Sequence, residues 1–240
     1  SRLAQKLLFD YSSIDVGINA LEELDLSLRL KLRTLGSRGY NIPYNLGQTV
    51  DSPLELLDAQ AQDSKLTHLI YGDSGVSEGY TIKEHTARVM ELLKDQFHCH
   101  DDAELDQVLR EQTGVGLGYF FQMTMSMHDI GKPLAVAAGD KYRQHEFTLP
   151  ILKENLRSWG LSEEAIEVAA ALTDNDILGD FLKGSIGQST ALRRLTSKAR
   201  ESGLEVEDFF KLQRAFYTAD AGSYPFLYDL VFKLDDKECL

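Results

Sequence analysis

From Thr81 to Asp220 the apolar positions of this chain recur at helical spacing, and the strict alternation expected of half-buried strands is almost absent. Thr81 and Glu84 form a capping box, after which Ile82, Val89, Leu92, Leu93 and Phe97 repeat along one face. His85 falls on that same inward stripe. The segment 119–128, YFFQMTMSMH, is apolar nearly all round, as a central buried helix requires. It runs into Asp129-Ile130-Gly131-Lys132-Pro133, where Gly and Pro read as stop signals, so the helix end delivers a His-Asp pair into the interior. Further helices are predicted over 149–159, 162–173, 189–202, 206–219 and 226–234. In the fourth of these, Phe209, Leu212 and Phe216 make an apolar stripe, and a further step of four lands on Asp220.

The first third reads differently. Residues 16–35 are Leu-rich at mixed spacing, with helix favoured over strand, and residues 36–79 are turn-rich, with one short helix opening at Ser52-Pro53-Leu54-Glu55. The expectation is an all-α bundle over residues 80–240, preceded by an N-terminal helical and loop extension, residues 1–79, packed on it as a linker or lid.

Hydrophobic and charged fractions of 43% and 26% are those of an ordinary folded globule. A formal net charge of −13 repels polyanions, which argues against a general nucleic-acid binder and against adhesion to anionic membranes. Residues 181–200 are the exception, with Lys183, Arg193, Arg194, Lys198 and Arg200 and no acid. Such an island either draws a phosphate-bearing ligand or is a solvated helix face, the commoner meaning. Cys99 and Cys239 imply no disulfide framework, no window is apolar enough for a membrane span, and the first residues lack the pattern of a signal peptide. A cytoplasmic setting is the expectation.

Taken alone, His85 reads as a core histidine and Asp220 as a helix cap. Together with the adjacent His128 and Asp129 they form a set of borderline and hard donors suited to one divalent ion. A buried carboxylate costs several kcal/mol unless it is paired or bound to metal.

Three segments, YTIKEHTARVMELL, MHDIGKP and FYTADAGSY, resemble the first, second and last signatures of the HD-domain phosphohydrolases, a likeness that covers roughly residues 80–225. It implies a helical bundle in which His85, His128, Asp129 and Asp220 coordinate a metal: Mg²⁺, Mn²⁺, Fe²⁺, Co²⁺ or Zn²⁺. Many such proteins hold a second ion through two further His residues. RQHEFTLPIL resembles the first of these regions and would supply His145, whereas LTDNDILGD places Asp176 where the second His is expected, with Asp174 nearby. His145 and Asp176 are thus expected near the first metal, either completing a second site or contacting substrate phosphate. Pro150 complicates the helix that should carry His145.

The function so implied is hydrolysis of a small phosphate ester, a nucleotide being the favoured partner. Asp129 would bridge the ions or orient water, and Lys132 would meet developing phosphoryl charge. Lys132→Ala is accordingly expected to spare folding and depress turnover; Lys141 and Arg143 are weaker candidates of the same kind. The alternative is a regulatory or partner-binding domain that keeps the scaffold, with or without a structural metal. His98-Cys99-His100 reads as a solvated turn, and Gly114, Gly116 and Gly118 as the entry into the buried helix. Neither the extra acidic pair of guanosine tetraphosphate hydrolases nor the GYP signature of cyclic dinucleotide phosphodiesterases is present.

Overall fold

The computed structural model describes residues 52–75, 80–96 and 103–224. The predicted helices over 16–35 and 226–234, the His98-Cys99-His100 turn and both cysteines lie outside them. The described residues form an all-α structure without a β-strand; an isolated bridge joins Asp73 and Thr81. None of their helices is long and apolar enough to cross a membrane.

In the first part of the chain, α1 (Pro53–Gln60) starts as its residues dictate, with Ser52 capping the Glu55 amide at 3.4 Å and Pro53 in the first turn. A second short helix, α2 (Ser64–Ile70), follows at once, capped by Asp63. Leu56, Leu57 and Ile70 are fully buried, and Gln60 Nε2 donates to Ser126 Oγ at 2.8 Å inside the bundle. This stretch therefore shares the main core.

The capping box of α3 (Ile82–Gln96) is reciprocal: the Thr81 amide donates to Glu84 Oε2 at 2.8 Å, and the Glu84 amide donates to Thr81 Oγ1 at 3.2 Å. Ile82 and Val89 are fully buried on the inward face with His85. After α4 (Ala103–Thr113), Gly114 turns the chain at φ +79° and Gly116 opens α5 (Leu117–Met127). The central helix is buried at every position except Gln122 and packs against α1, α3 and α4. Burying side chains such as Phe120 and Met125 completely is worth about 1.5–3 kcal/mol each.

Helix α5 stops as its Gly and Pro signals require, at Met127, but Pro133 serves a second role. It sits in the first turn of another short helix, α6 (Lys132–Ala137), because proline's fixed φ and missing N–H suit a helix start as well as a stop. A 3₁₀ turn (Lys141–Arg143) leads into α7 (Gln144–Ser158), which begins five residues before the predicted start at 149. Pro150 lies inside α7 but is exposed, so the missing donor falls on the solvent side. Gly131 is explained by packing: a Cβ there would lie against the Thr148 amide and 2.6 Å from the Phe147 carbonyl carbon, and the Gly131 amide donates to Thr148 Oγ1 at 3.1 Å. Gly131→Ala is expected to push α7 off the turn and lower stability by about 1–3 kcal/mol, read as a fall in melting temperature; an unchanged melting temperature would mean that the contact is slack.

The remaining helices are α8 (Glu163–Thr173), α9 (Ile177–Leu182), α10 (Gln188–Ser202) and α11 (Val206–Gly222). Gly203, at φ +74°, terminates α10 in the left-handed conformation. Packing of α11 against α3, α8, α9 and α10 buries Phe209, Leu212 and Ala219 and brings the end of α11 beside the start of α3.

The basic island folds into α9, α10 and the link between them, where three of its five cations meet acids. Lys183 pairs with Asp176 at 3.2 Å, Arg194 with Asp180 at 3.2 Å, and Lys198 with Asp174 at 2.6 Å and Glu201 at 2.7 Å. These pairings favour the helix-face meaning of that charge run.

Candidate metal centre

Three helices carry the four candidate ligands. The inward stripe of α3 holds His85, His128 caps the C-terminus of α5 with Asp129 next to it, and Asp220 lies in the last turn of α11. One donor atom from each residue lies within 4.8 Å of all the others, and this is the one such His/Cys/Asp/Glu group among the described residues. His85 Nε2 is 3.1 Å from both Asp129 Oδ2 and Asp220 Oδ1; His128 Nε2 is 3.5 Å and 3.6 Å from the same two oxygens.

Hydrogen bonds behind the rings decide which nitrogens face inward. His128 Nδ1 donates to the Met125 carbonyl at 2.7 Å, which leaves Nε2 as a lone-pair donor, and that buried atom has no hydrogen-bond partner. His85 Nδ1 donates to Ser223 Oγ at 3.2 Å, while the Ser223 hydroxyl donates to the Asp220 carbonyl at 2.7 Å. Both imidazoles thus present Nε2 to two carboxylate oxygens. An array of lone pairs facing one another is repulsive without positive charge at its centre, and a divalent cation fits this donor set.

Without an ion, the positive charge that the site demands is drawn to His85 as a proton. Burial opposes a proton on His85, but hydrogen bonding and charge from Asp129 and Asp220 outweigh it and raise its pKa to about 9. Burial would raise the Asp129 pKa too, yet Lys132, His128 and His85 hold it well below the ordinary carboxylate range. Asp220 is likewise held down, against burial, by the two histidines. Among the four side chains Asp220 alone is substantially open to solvent, at 34% exposed, so access to the group is from its side.

Lys132 is not a surface lysine. Its side chain is 11% exposed, Nζ donates to Asp129 Oδ2 at 2.7 Å, and Asp129 together with Tyr224 and Asp220 raises its pKa against burial. The expectation that Lys132→Ala would spare folding is therefore corrected, since the change strips a buried carboxylate of its nearest cation. Lys141 and Arg143 are exposed, and Arg143 is paired with Glu146.

His145 and Asp176 do not join the four-residue group. Asp176 is the N-cap of α9: Oδ1 accepts from the Gly179 amide at 2.8 Å and Oδ2 faces Lys183. Asp174 is drawn to Lys198. His145 lies half-buried in the first turn of α7, its Nδ1 enclosed without a hydrogen-bond partner. Asp176→Ala is expected to cost about 1 kcal/mol through the lost cap, and neither it nor His145→Ala should change the metal content measured by elemental analysis; loss of an ion from either variant would restore a two-metal reading.

Three contacts emerge that the sequence did not suggest. Gln144 Nε2 donates to Asp129 Oδ1 at 3.4 Å, Ser223 orients His85, and the Tyr224 ring packs on His85 at 5.0 Å. Ser223 and Tyr224 stand three and four residues after Asp220, a spacing that places them near it at a helix end and was the signal available for finding them. Gln144 carried no such signal. Comparison with known protein families, curated proteins and solved structures finds no match to this chain, so its functional reading rests on the geometry of the His85, His128, Asp129 and Asp220 group.

Proposed function

We propose that this chain is an HD-type, metal-dependent phosphohydrolase acting on a small phosphate ester, with one divalent ion held by His85, His128, Asp129 and Asp220. The observation that carries the reading is the convergence of two tautomer-fixed Nε2 atoms and two carboxylates beside a buried lysine. An ion in that set supplies a Lewis acid that polarises a phosphoryl oxygen and makes water acidic enough to attack near neutral pH.

The chain's own residues do the rest. Two carboxylates balance a divalent cation, and Lys132 then leaves the centre one positive charge in excess, which suits an anionic substrate within an otherwise acidic protein. Asp129 is gripped at Oδ2 by Lys132 and at Oδ1 by Gln144, which fixes it to orient the attacking water. Lys132 lies where negative charge would develop on a phosphoryl group seated beside Asp129, and a preplaced cation counts most in the transition state. Ser223 keeps His85 in register, as an outer hydrogen bond does for a ligating imidazole.

The test is a phosphate-release screen over nucleotides, cyclic nucleotides and sugar phosphates with Mg²⁺, Mn²⁺, Fe²⁺ and Co²⁺. Turnover that a chelator removes and the ion restores is the expected result. A chain that binds the ion, hydrolyses nothing and holds a protein partner tightly would be a regulatory domain instead.

A further inference from the structure

Lys132 Nζ joins Asp129 and Tyr224 beside the centre. Tyr224 is half-buried, four residues after Asp220, and Lys132 Nζ donates to its hydroxyl at 3.5 Å. Its ring packs against His85 at 5.0 Å, tilted by 33°, so the hydroxyl is located by packing and needs no ligand to place it. We propose that Tyr224 is a substrate-binding residue, its hydroxyl and the Lys132 ammonium together forming a two-donor seat for the non-bridging oxygens of a phosphoryl group. The proposal deepens the phosphohydrolase reading and rests on it.

Four considerations carry it. The hydroxyl and the ammonium come from different segments, the turn after α11 and the start of α6, and meet where Lys132 also holds Asp129. A phenol whose oxygen accepts from a cation is polarised into a stronger donor. A phenol keeps its proton at neutral pH, so the group serves as a donor. Finally, a neutral donor adds a hydrogen bond to an anion without adding charge to a site where Lys132 already supplies it. Asp220, the exposed ligand, precedes Tyr224 by one helical turn, so a substrate entering from that side meets the tyrosine on its way to Lys132.

Tyr224→Phe removes the hydroxyl and keeps the ring on His85. Titrating the Mg²⁺-loaded native chain and the variant with inorganic phosphate by calorimetry should show binding about tenfold or more weaker in the variant, the loss expected for one hydrogen bond to a charged group. KM for any ester found in the screen should rise by a similar factor, with metal content and melting temperature unchanged. Equal phosphate affinities, a native chain that binds no phosphate when loaded, or a variant that loses metal or melts early would each overturn the proposal. The two readings fail separately: Tyr224-dependent phosphate binding without turnover leaves the seat standing and removes the hydrolase, whereas turnover indifferent to Tyr224→Phe removes the seat alone.

Discussion

Asp129→Ala should abolish both metal binding and turnover. Its Oδ2 is the atom on which His85, His128 and Lys132 all converge, so no other side chain of the group can substitute for it. The alanine variant also leaves the Lys132 ammonium buried without its partner, which costs on the order of 3–5 kcal/mol and threatens folding. Asp129→Asn is the cleaner change, because it keeps the volume and the hydrogen-bonding shape while removing the charge. A folded Asn variant with metal below detection and no phosphate release is the expected outcome. An Asn variant that keeps its ion and its rate would show that the Asp129 charge is needed neither to hold the metal nor to orient the water.

Lys132→Ala is expected to do two separable things. Removing the cation 2.7 Å from Asp129 Oδ2 leaves a carboxylate only 3% exposed, and the metal-free variant should lose about 3–5 kcal/mol of stability. Added Mg²⁺ or Mn²⁺ supplies positive charge at the same oxygen and should recover much of that loss. Turnover, in contrast, should stay down by about 10²–10³ with the ion saturating, because a divalent ion does not stand where the ammonium meets the phosphoryl group. The measurements are chemical denaturation with and without ion, and kcat at saturating ion. Recovery of kcat together with stability would reduce Lys132 to a structural counter-charge.

The sequence carried the helices whose signals are local. The capping box at Thr81 and Glu84 and the apolar circumference of 119–127 reappear as α3 and α5, and the step from Phe216 to Asp220 reaches the group as its periodicity suggested. The punctuation was only half legible. The stop after His128 holds, with α5 ending at Met127, but Lys132-Pro133 also opens α6, a helix that the stop signal conceals. Asp176 reads as a ligand by its place in the motif, although Asp is equally a favoured helix N-cap, and the chain uses it so. The start of α7 was missed because Gln144, His145 and Glu146 show no apolar period, and that stretch holds the residue that grips Asp129 from outside. Side-chain partners such as Gln144 and Tyr224 depend on where helices land relative to one another, which periodicity does not encode.

The contact between His85 and Asp220 spans 135 positions of sequence, and Ser223 reaches back 138 positions to the same ring. Such donors are scattered in an unfolded chain, so a cation that needs them together recognises only the folded one. By mass action an ion held there would act on the whole folding equilibrium, adding about 2.7 kcal/mol when its free concentration is a hundredfold above Kd. Part of the cost of closing these long loops is set against that binding energy. Scarcity of the ion would consequently appear first as a larger unfolded fraction, exposed to proteases, and abundance of the protein in a cell would follow the free concentration of its metal.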